Sequence, residues 1–366
     1  MSSVRDARIR AWVTLAHCEL PQRDLVALLR AAGDPETLLA SRGRIDGVDV
    51  APATREMLMS PPADAVAATL AWLESPAHQL VTWEDADYPQ KLLEIGDAPP
   101  VMFHMGRREL LNRPAVAIVG SRQATPQGLD DARAFARALA GAGVTVVSGL
   151  AQGIDAAAHE GALAEAGGTI AVVGTGLDRV YPSANRKLAH AIAERGSLLS
   201  EFVPGTEPLK WHFPRRNRLI AGLSRGVLVI EANLSSGSLI TARLAGDQGR
   251  EVMAVPGSIH APLSKGCHKL IREGAKLVET AQDVLVEIGV NVATPPRSDT
   301  APHAIDAATR AAYAPLLDAM GTVPMDLDKL VQRTGLPAQA IAAQLTALEI
   351  DGIVAALPGG KWQRRY

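Results

Sequence analysis

Only two cysteines, Cys18 and Cys267, occur in 366 residues, and neither opens a Cys-x-x-Cys or other metal-ligand pattern. That excludes a disulfide framework and points to a reduced, cytosolic chain. Charge of one sign is not in excess: Lys+Arg total 37 against 39 Asp+Glu, a net charge of −2. No whole-molecule basic field is present, so any polyanion site has to be local. No stretch approaches 18 uncharged apolar residues, and MSSVRDARIRAWVTLAHCEL carries charges where a signal peptide needs an apolar run. Neither a membrane span nor a secretory leader is expected. GxxxxGK[ST], HExxH and GxSxG are all missing, as is a His/Cys/carboxylate cluster at metal spacing, so a P-loop ATPase, a zinc protease and a serine hydrolase are not expected. Gly174-Thr175-Gly176 begins a GxG, but Arg179 stands at the third glycine position of GxGxxG, which weakens a dinucleotide site.

What is present is ordinary soluble composition, 47% hydrophobic and 21% charged, in enough chain for two or three domains. Residues 1–75 read as short helices: Trp12, Val13, Leu15 and Ala16, then Leu25, Val26, Leu28 and Leu29, recur at helical spacing until Gly33-Asp34-Pro35 breaks the pattern. Residues 76–113 form a transition rich in proline and aromatics. The pattern then changes to short apolar runs, AVAIVG (115–120), VTVVSG (144–149), TIAVVG (169–174), SLLSE (197–201), GVLVIEA (226–232) and EVMAVPG (251–257), separated by helical stretches. Strands without polar alternation are buried on both faces, and strand–helix alternation implies an α/β domain with a mostly parallel sheet, placed at 77–288. Residues 289–304 read as a linker, and 305–366 as helix–turn–helix plus hairpin, a winged-helix pattern with Ile341, Leu345 and Leu348 on one helix face.

In open parallel sheets ligands bind beyond the carboxyl ends of the strands. Ser121-Arg122 follows AVAIVG there, LAQGIDAAAH follows VTVVSG, and NLSSGSLITA follows VLVIEA and enters a helix. Small residues at a helix start leave backbone N–H groups for an anion, and Ser235-Ser236-Gly237-Ser238 is the best such case, with Arg122 able to fork onto two phosphate oxygens. Each loop also fits a plain turn or cap. Asp155 is expected to cap a helix and His159 to pack. Glu201 and Glu231 are expected to be structural, orienting arginines.

The second signal is Lys210-Trp211-His212-Phe213-Pro214-Arg215-Arg216-Asn217-Arg218, with four formal positive charges, no acid and two of the 13 aromatics. Cations beside rings suit single-stranded nucleic acid, whose bases stack while its backbone follows the charge. The plainer alternative is a solvated basic loop with Trp211 and Phe213 buried as anchors and one arginine bracing Glu201 or Glu231 from within. The tail helix AQAIAAQLTALEIDG has no Arg or Lys to read DNA, which favours a protein-contact or dimer-support role.

These runs, VAIVGSRQATPQG, SGLAQGIDAAAHEGAL, GGTIAVVGTGLDRVYPSAN, LLSEFVPG, HFPRRNRLIAGLS, VLVIEANLSSGSLITARLA and GREVMAVPGS, resemble the DprA/Smf family of bacterial DNA-processing proteins continuously over about 80–280. The resemblance implies an extended Rossmann-like core, flanked by an N-terminal helical SAM-like or helix-hairpin-helix domain and a C-terminal winged-helix-like domain. It implies a non-enzymatic, cofactor-free, cytoplasmic homodimer that binds and protects incoming single-stranded DNA in natural transformation. Such a protein loads RecA onto that DNA and meets single-strand-binding protein. Carried over by motif, the DNA contacts are Ser121, Arg122, Lys210, Phe213, Arg216, Asn217, Arg218, Gly237 and Ser238. The sequence departs from the family at Gln152, where most members have Arg, and at Cys267-His268, where Thr-Asn is usual. The competing enzyme reading, a LOG-like nucleotide phosphoribohydrolase on the same core, needs PGGxGTxxE; the corresponding SSGSLITARLA has no carboxylate following.

Overall fold

The computed structural model describes residues 2–290, 311–321, 324–357 and 359–364. Most of the expected linker, and residues 305–310 beyond it, lie outside the described residues.

The amino-terminal region is helical: α1 (Ser2–His17), α2 (Gln22–Ala32), α3 (Pro35–Ser41), α4 (Pro52–Met59) and α5 (Ala63–Trp72). Asp34 caps α3 by accepting the Thr37 N–H at 2.7 Å, with Pro35 in the first helical position. Trp12, Leu15, Leu28, Leu38 and Leu58 form its core. Two side chains tie these helices to the transition region. The Arg8 guanidinium pairs with Glu84 as well as with Glu36, and the Gln22 amide donates to the Ala98 carbonyl at 2.8 Å.

The transition region contributes two strands that its prolines and aromatics did not disclose, β1 (His78–Thr82) and β2 (Val101–Gly106), with the single helical turn α6 (Gln90–Leu93) between them. The six apolar runs are strands: β3 (Ala115–Val119), β4 (Thr145–Ser148), β5 (Thr169–Val172), β6 (Ser197–Ser200), β7 (Gly226–Val229) and β8 (Glu251–Ala254). With β9 (Lys276–Leu277) they make one nine-stranded sheet of order β1-β2-β6-β5-β4-β3-β7-β8-β9. Pairing is parallel from β6 through β9, whereas β1–β2 and β2–β6 are antiparallel, Phe103 facing Ser200. The α/β sheet and its parallel centre are as expected; its antiparallel edge is additional.

Helices α7 (Pro126–Gly141), α8 (Ile154–Ala162), α9 (Arg186–Arg195) and α13 (Ala281–Glu287) cover one face. Ala132, Ala136, Ile154 and Ala158 pack there against Val116, Ile118 and Val146, and Ile192 of α9 against Leu198 and Ala171. Helices α10 (His212–Gly222), α11 (Ser238–Asp247) and α12 (Lys265–Arg272) cover the other, where Leu219, Ala242 and Leu270 meet Val119, Val147 and Val227. Burial on both faces explains why these strands read as unbroken apolar runs. Thr125 caps α7 by accepting the Gly128 N–H at 3.0 Å, and Thr280 with Asp283 forms a capping box on α13.

The tail is a small unit of its own: α14 (Ala314–Met320), β10 (Met325–Asp326), α15 (Leu327–Thr334), α16 (Ala338–Ile350) and the hairpin β11 (Val354–Leu357)–β12 (Lys361–Arg364). Ile341, Leu345 and Leu348 are buried in its core with Leu316 and Leu330. Gly335, at φ +67°, ends α15 and makes the turn between the two helices.

Candidate nucleic-acid interface

The sheet order reverses around β3, with β4 on one side and β7 on the other. That places the loops after β3, β4, β5 and β7 together at one rim, the position favoured for ligands in such sheets. The loop after β3 is held from two sides: the Ser121 N–H donates to the Glu231 carbonyl at 2.7 Å, and the Ser121 carbonyl accepts the Ile154 N–H at 3.2 Å. Gly153, at φ +79°, makes this approach possible, because a Cβ there would lie 2.3 Å from the Ser121 carbonyl oxygen. Ser121 is buried and its hydroxyl accepts the Gln123 N–H at 3.1 Å, while Arg122 is exposed. Ser121 therefore shapes the loop and Arg122 presents the charge.

Helix α10 supplies the ring. Phe213 is half-buried at its start and lies against Gly174 beyond β5, where a Cβ would come within 3.1 Å of the ring. The Arg122 guanidinium carbon stands 5.9 Å from the Phe213 centroid, within reach of a cation–π contact. Tyr181, from the loop after β5, adds a second ring with its centroid 5.5 Å away at 38°. Lys210 is exposed just before the helix, and Asn217 lies one turn after Phe213. At the start of α11, Gly237 is exposed and a Cβ on it would meet no atom within 4 Å, while the buried Ser238 shares a 2.7 Å hydroxyl contact with Ser236.

Two expected groove cations are not in the groove. Arg216 is 4% exposed. Its guanidinium runs under the rim and donates to the carbonyls of Gly149, at 2.7 Å, and Val172, so that it ties the ends of β4 and β5 together. Burial lowers its pKa to about 10, opposed by Asp155 and assisted by Arg122. Arg218 is buried as well, paired with Glu201 and at 3.3 Å with Asp97, and donates to the Asp97 carbonyl at 2.7 Å. Both lie where α10 meets the sheet, so their charges serve the fold. Arg215 also reaches Glu201, at 3.1 Å, which bears out a bracing role for Glu201. The alternative of Trp211 as a buried anchor fails: it is 58% exposed.

The other acids at the rim are engaged too. Asp155 is not the cap of α8, a position Gly153 takes; its buried carboxylate accepts the Gly149 and Ala151 N–H groups at 3.1 and 3.4 Å. Burial raises its pKa, against the pull of Arg216. Glu231 orients no arginine among the described residues: its carboxylate accepts the Thr125 N–H and hydroxyl at 2.8 and 2.7 Å, and burial raises its pKa. His159 packs, as expected. Nε2 accepts the Leu150 N–H at 3.3 Å and Nδ1 contacts the Thr169 hydroxyl at 2.7 Å, which itself donates to the Val146 carbonyl. The ring is thus neutral with its proton on Nδ1, and burial pushes its pKa down to about 3.

Tyr181, which the structure brings to this rim, is not singled out by the sequence, where it stands as a plain Tyr-Pro in the loop after TIAVVG. Of the departures from the family pattern, Gln152 is exposed at the rim, Cys267 is buried against the carbonyls ending β7, and His268 bonds the Gly257 carbonyl at 3.0 Å. Among the described residues no group of three or more His, Cys, Asp or Glu could hold a metal, and no helix is long and apolar enough to cross a membrane.

Comparison with known proteins agrees with this architecture. Residues 79–289 match the family model of DNA recombination-mediator protein A, and 299–360 match the DprA winged helix domain. Protein Smf of Escherichia coli is 41% identical over 310 residues, 83% of this chain and 82% of Smf. The crystal structure of DNA processing protein A from Streptococcus pneumoniae superposes with a TM-score of 0.66 at 43% identity, over 75% of this chain and 95% of that one. DprA from Helicobacter pylori, whose structure describes a single-stranded DNA binding mode, superposes with a TM-score of 0.52 at 34% identity, over 57% of this chain and 94% of that one. With its parallel core, its winged-helix tail and these matches, the chain belongs to the DprA/Smf family of DNA-processing proteins.

Proposed function

We propose that this chain binds single-stranded DNA at the rim formed by the loops after β3, β5 and β7 and leaves it chemically unaltered. The observation that carries the reading is the pairing of an exposed guanidinium with an accessible ring, Arg122 5.9 Å from the Phe213 centroid. A phosphate on Arg122, facing the exposed Gly237 at the start of α11, leaves its neighbouring base beside Phe213, while Lys210 follows the backbone and Asn217 offers an amide. Ser121 positions Arg122, and Arg216 and Arg218 hold α10 in place. A duplex is disfavoured because its bases are already stacked and its backbone is stiff. The acids at the rim support binding without catalysis: Asp155, Glu201 and Glu231 are each committed to backbone, hydroxyl or guanidinium partners, which leaves none of the three to assist glycosidic cleavage.

The family implies the rest of the reading: a homodimer that protects the strand and passes it to RecA, in contact with single-strand-binding protein. Two sites per dimer raise apparent affinity through effective concentration. The test is fluorescence anisotropy with oligo-dT and duplex over a salt series. Arg122→Ala should weaken oligo-dT binding by about 1–3 kcal/mol per site and flatten the salt dependence. Unchanged binding by that variant would overturn the assignment.

A further inference from the structure

We propose that the cavity between α9 and the loop 177–183 is a second nucleotide subsite for the same polynucleotide, and that Tyr181 carries the strand into it. This rests on the reading of Arg122 and Phe213 as the first subsite. The supporting juxtaposition lies within one loop. The Tyr181 ring is 46% exposed and leans toward Phe213, while Val180 and Ser183 on either side of it line a cavity of about 340 Å³. The floor of that cavity is apolar, from Met105, Leu177 and Leu198, and α9 places Arg186 and His190 on its rim. An apolar floor with a few polar groups at the edge is the ordinary construction of a small-molecule site, and here it accepts a base with its phosphate outside.

The charges complement a phosphate. Asp178 and Arg179 also line the cavity, and Arg179 holds both Asp178, at 3.5 Å, and Glu207, at 3.3 Å. Arg186 and Lys187 are exposed, and their side chains make no hydrogen bond or ion pair among the described residues. The 38° tilt between the Phe213 and Tyr181 rings presents two successive platforms rather than one continuous stack, as a strand turning from the sheet rim toward α9 needs.

The experiment measures binding of wild type, Tyr181→Ala, Tyr181→Phe and the double variant Arg186→Ala/Lys187→Ala to oligo-dT of increasing length across a salt series. Arg122→Ala serves as the reference, and circular dichroism confirms folding. Tyr181→Ala should bind long oligo-dT about tenfold more weakly, the scale of one stacked base, with Tyr181→Phe close to wild type. The double variant should lower the salt slope by about 0.7 for each phosphate no longer neutralised, on long oligonucleotides and not on the shortest that still bind. A strand carrying 5-iododeoxyuridine should cross-link to Tyr181. If Arg122→Ala loses binding while these variants match wild type at every length and no cross-link forms at Tyr181, the second subsite is wrong and the first stands. If wild type itself binds no single strand, both readings fall together.

Discussion

Replacing Arg216 by methionine separates a structural arginine from a DNA contact. The guanidinium is buried on the carbonyls of Gly149 and Val172, with Asp155 as its nearby counter-charge. It is packed so closely that a Cβ on Gly149 would lie 2.5 Å from it. Methionine fills much the same space but donates nothing. Each orphaned carbonyl costs about 1–3 kcal/mol, and leaving a buried carboxylate without its cation costs about 3–5 kcal/mol. The terms overlap, because Asp155 can take up a proton, so the expected loss is about 3–5 kcal/mol, a large share of the roughly 5–15 kcal/mol that holds a typical domain. Urea titration followed by far-ultraviolet circular dichroism should show the midpoint fall with an unchanged slope. Arg122→Ala, at an exposed position, should stay within about 0.5 kcal/mol of wild type. DNA affinity measured well below the variant's unfolding midpoint should fall much less for Arg216→Met than for Arg122→Ala. An Arg216→Met protein as stable as wild type yet more than tenfold weaker for oligo-dT would refute this assignment and return Arg216 to the groove.

Gly153→Ala should both destabilise the protein by about 1–3 kcal/mol and weaken DNA binding, because φ of +79° and a 2.3 Å approach to the Ser121 carbonyl force the Arg122 loop to move; thermal melts and anisotropy on the same variant read both. The buried histidines should each remove stability on acidification from about pH 6.5 toward pH 4, against the opposite pull of the buried carboxyls of Asp155 and Glu231, whose pKa burial raises. Burial holds His159 at about 3 and His104 at about 4, so below pH 6.5 the unfolded chain takes up protons that the folded chain refuses, and each histidine removes about 1.4 kcal/mol per pH unit. Urea midpoints at pH 7, 6 and 5, compared between wild type and His159→Gln, should show the acid-side loss smaller in the variant. A chain ending at residue 290 should keep its affinity for oligo-dT, since α16 carries no Arg or Lys; collapse of binding would assign the winged helix a direct part.

The strands around β3 were legible because their environment is uniform: buried on both faces, they can be nothing but apolar, and each stops at a glycine, serine or acid that marks the rim. β1 and β2 were not. His78, Gln79 and His104 interrupt their apolar pattern, and the antiparallel pairing that shelters them is made by residues distant in the chain. The same limit applied to the basic stretch. Its composition announced a charged loop, but Arg215, Arg216 and Arg218 look alike in sequence. Which one faces solvent is set by helical phase and by where Glu201 and the carbonyls of β4 and β5 fall. Arg122 and Phe213 could be singled out because one follows a central strand and the other lies in the basic aromatic stretch, and the fold brings them within 5.9 Å. Tyr181 was not legible because the Phe213 ring beside it is met only after folding.

Helix α10 has a consequence for how a flexible polymer is caught. The helix that carries Phe213 at the mouth of the site is moored three residues later, by Arg216, to the ends of two central strands. Rocking it would mean dragging a guanidinium out of the sheet, so in the proposed binding the Phe213 ring stands in place beforehand. On that reading the loss of freedom on capture falls on the nucleic acid. Grip should consequently track how supple the strand is, with thymine tracts held more firmly than self-stacking adenine tracts of the same length and charge.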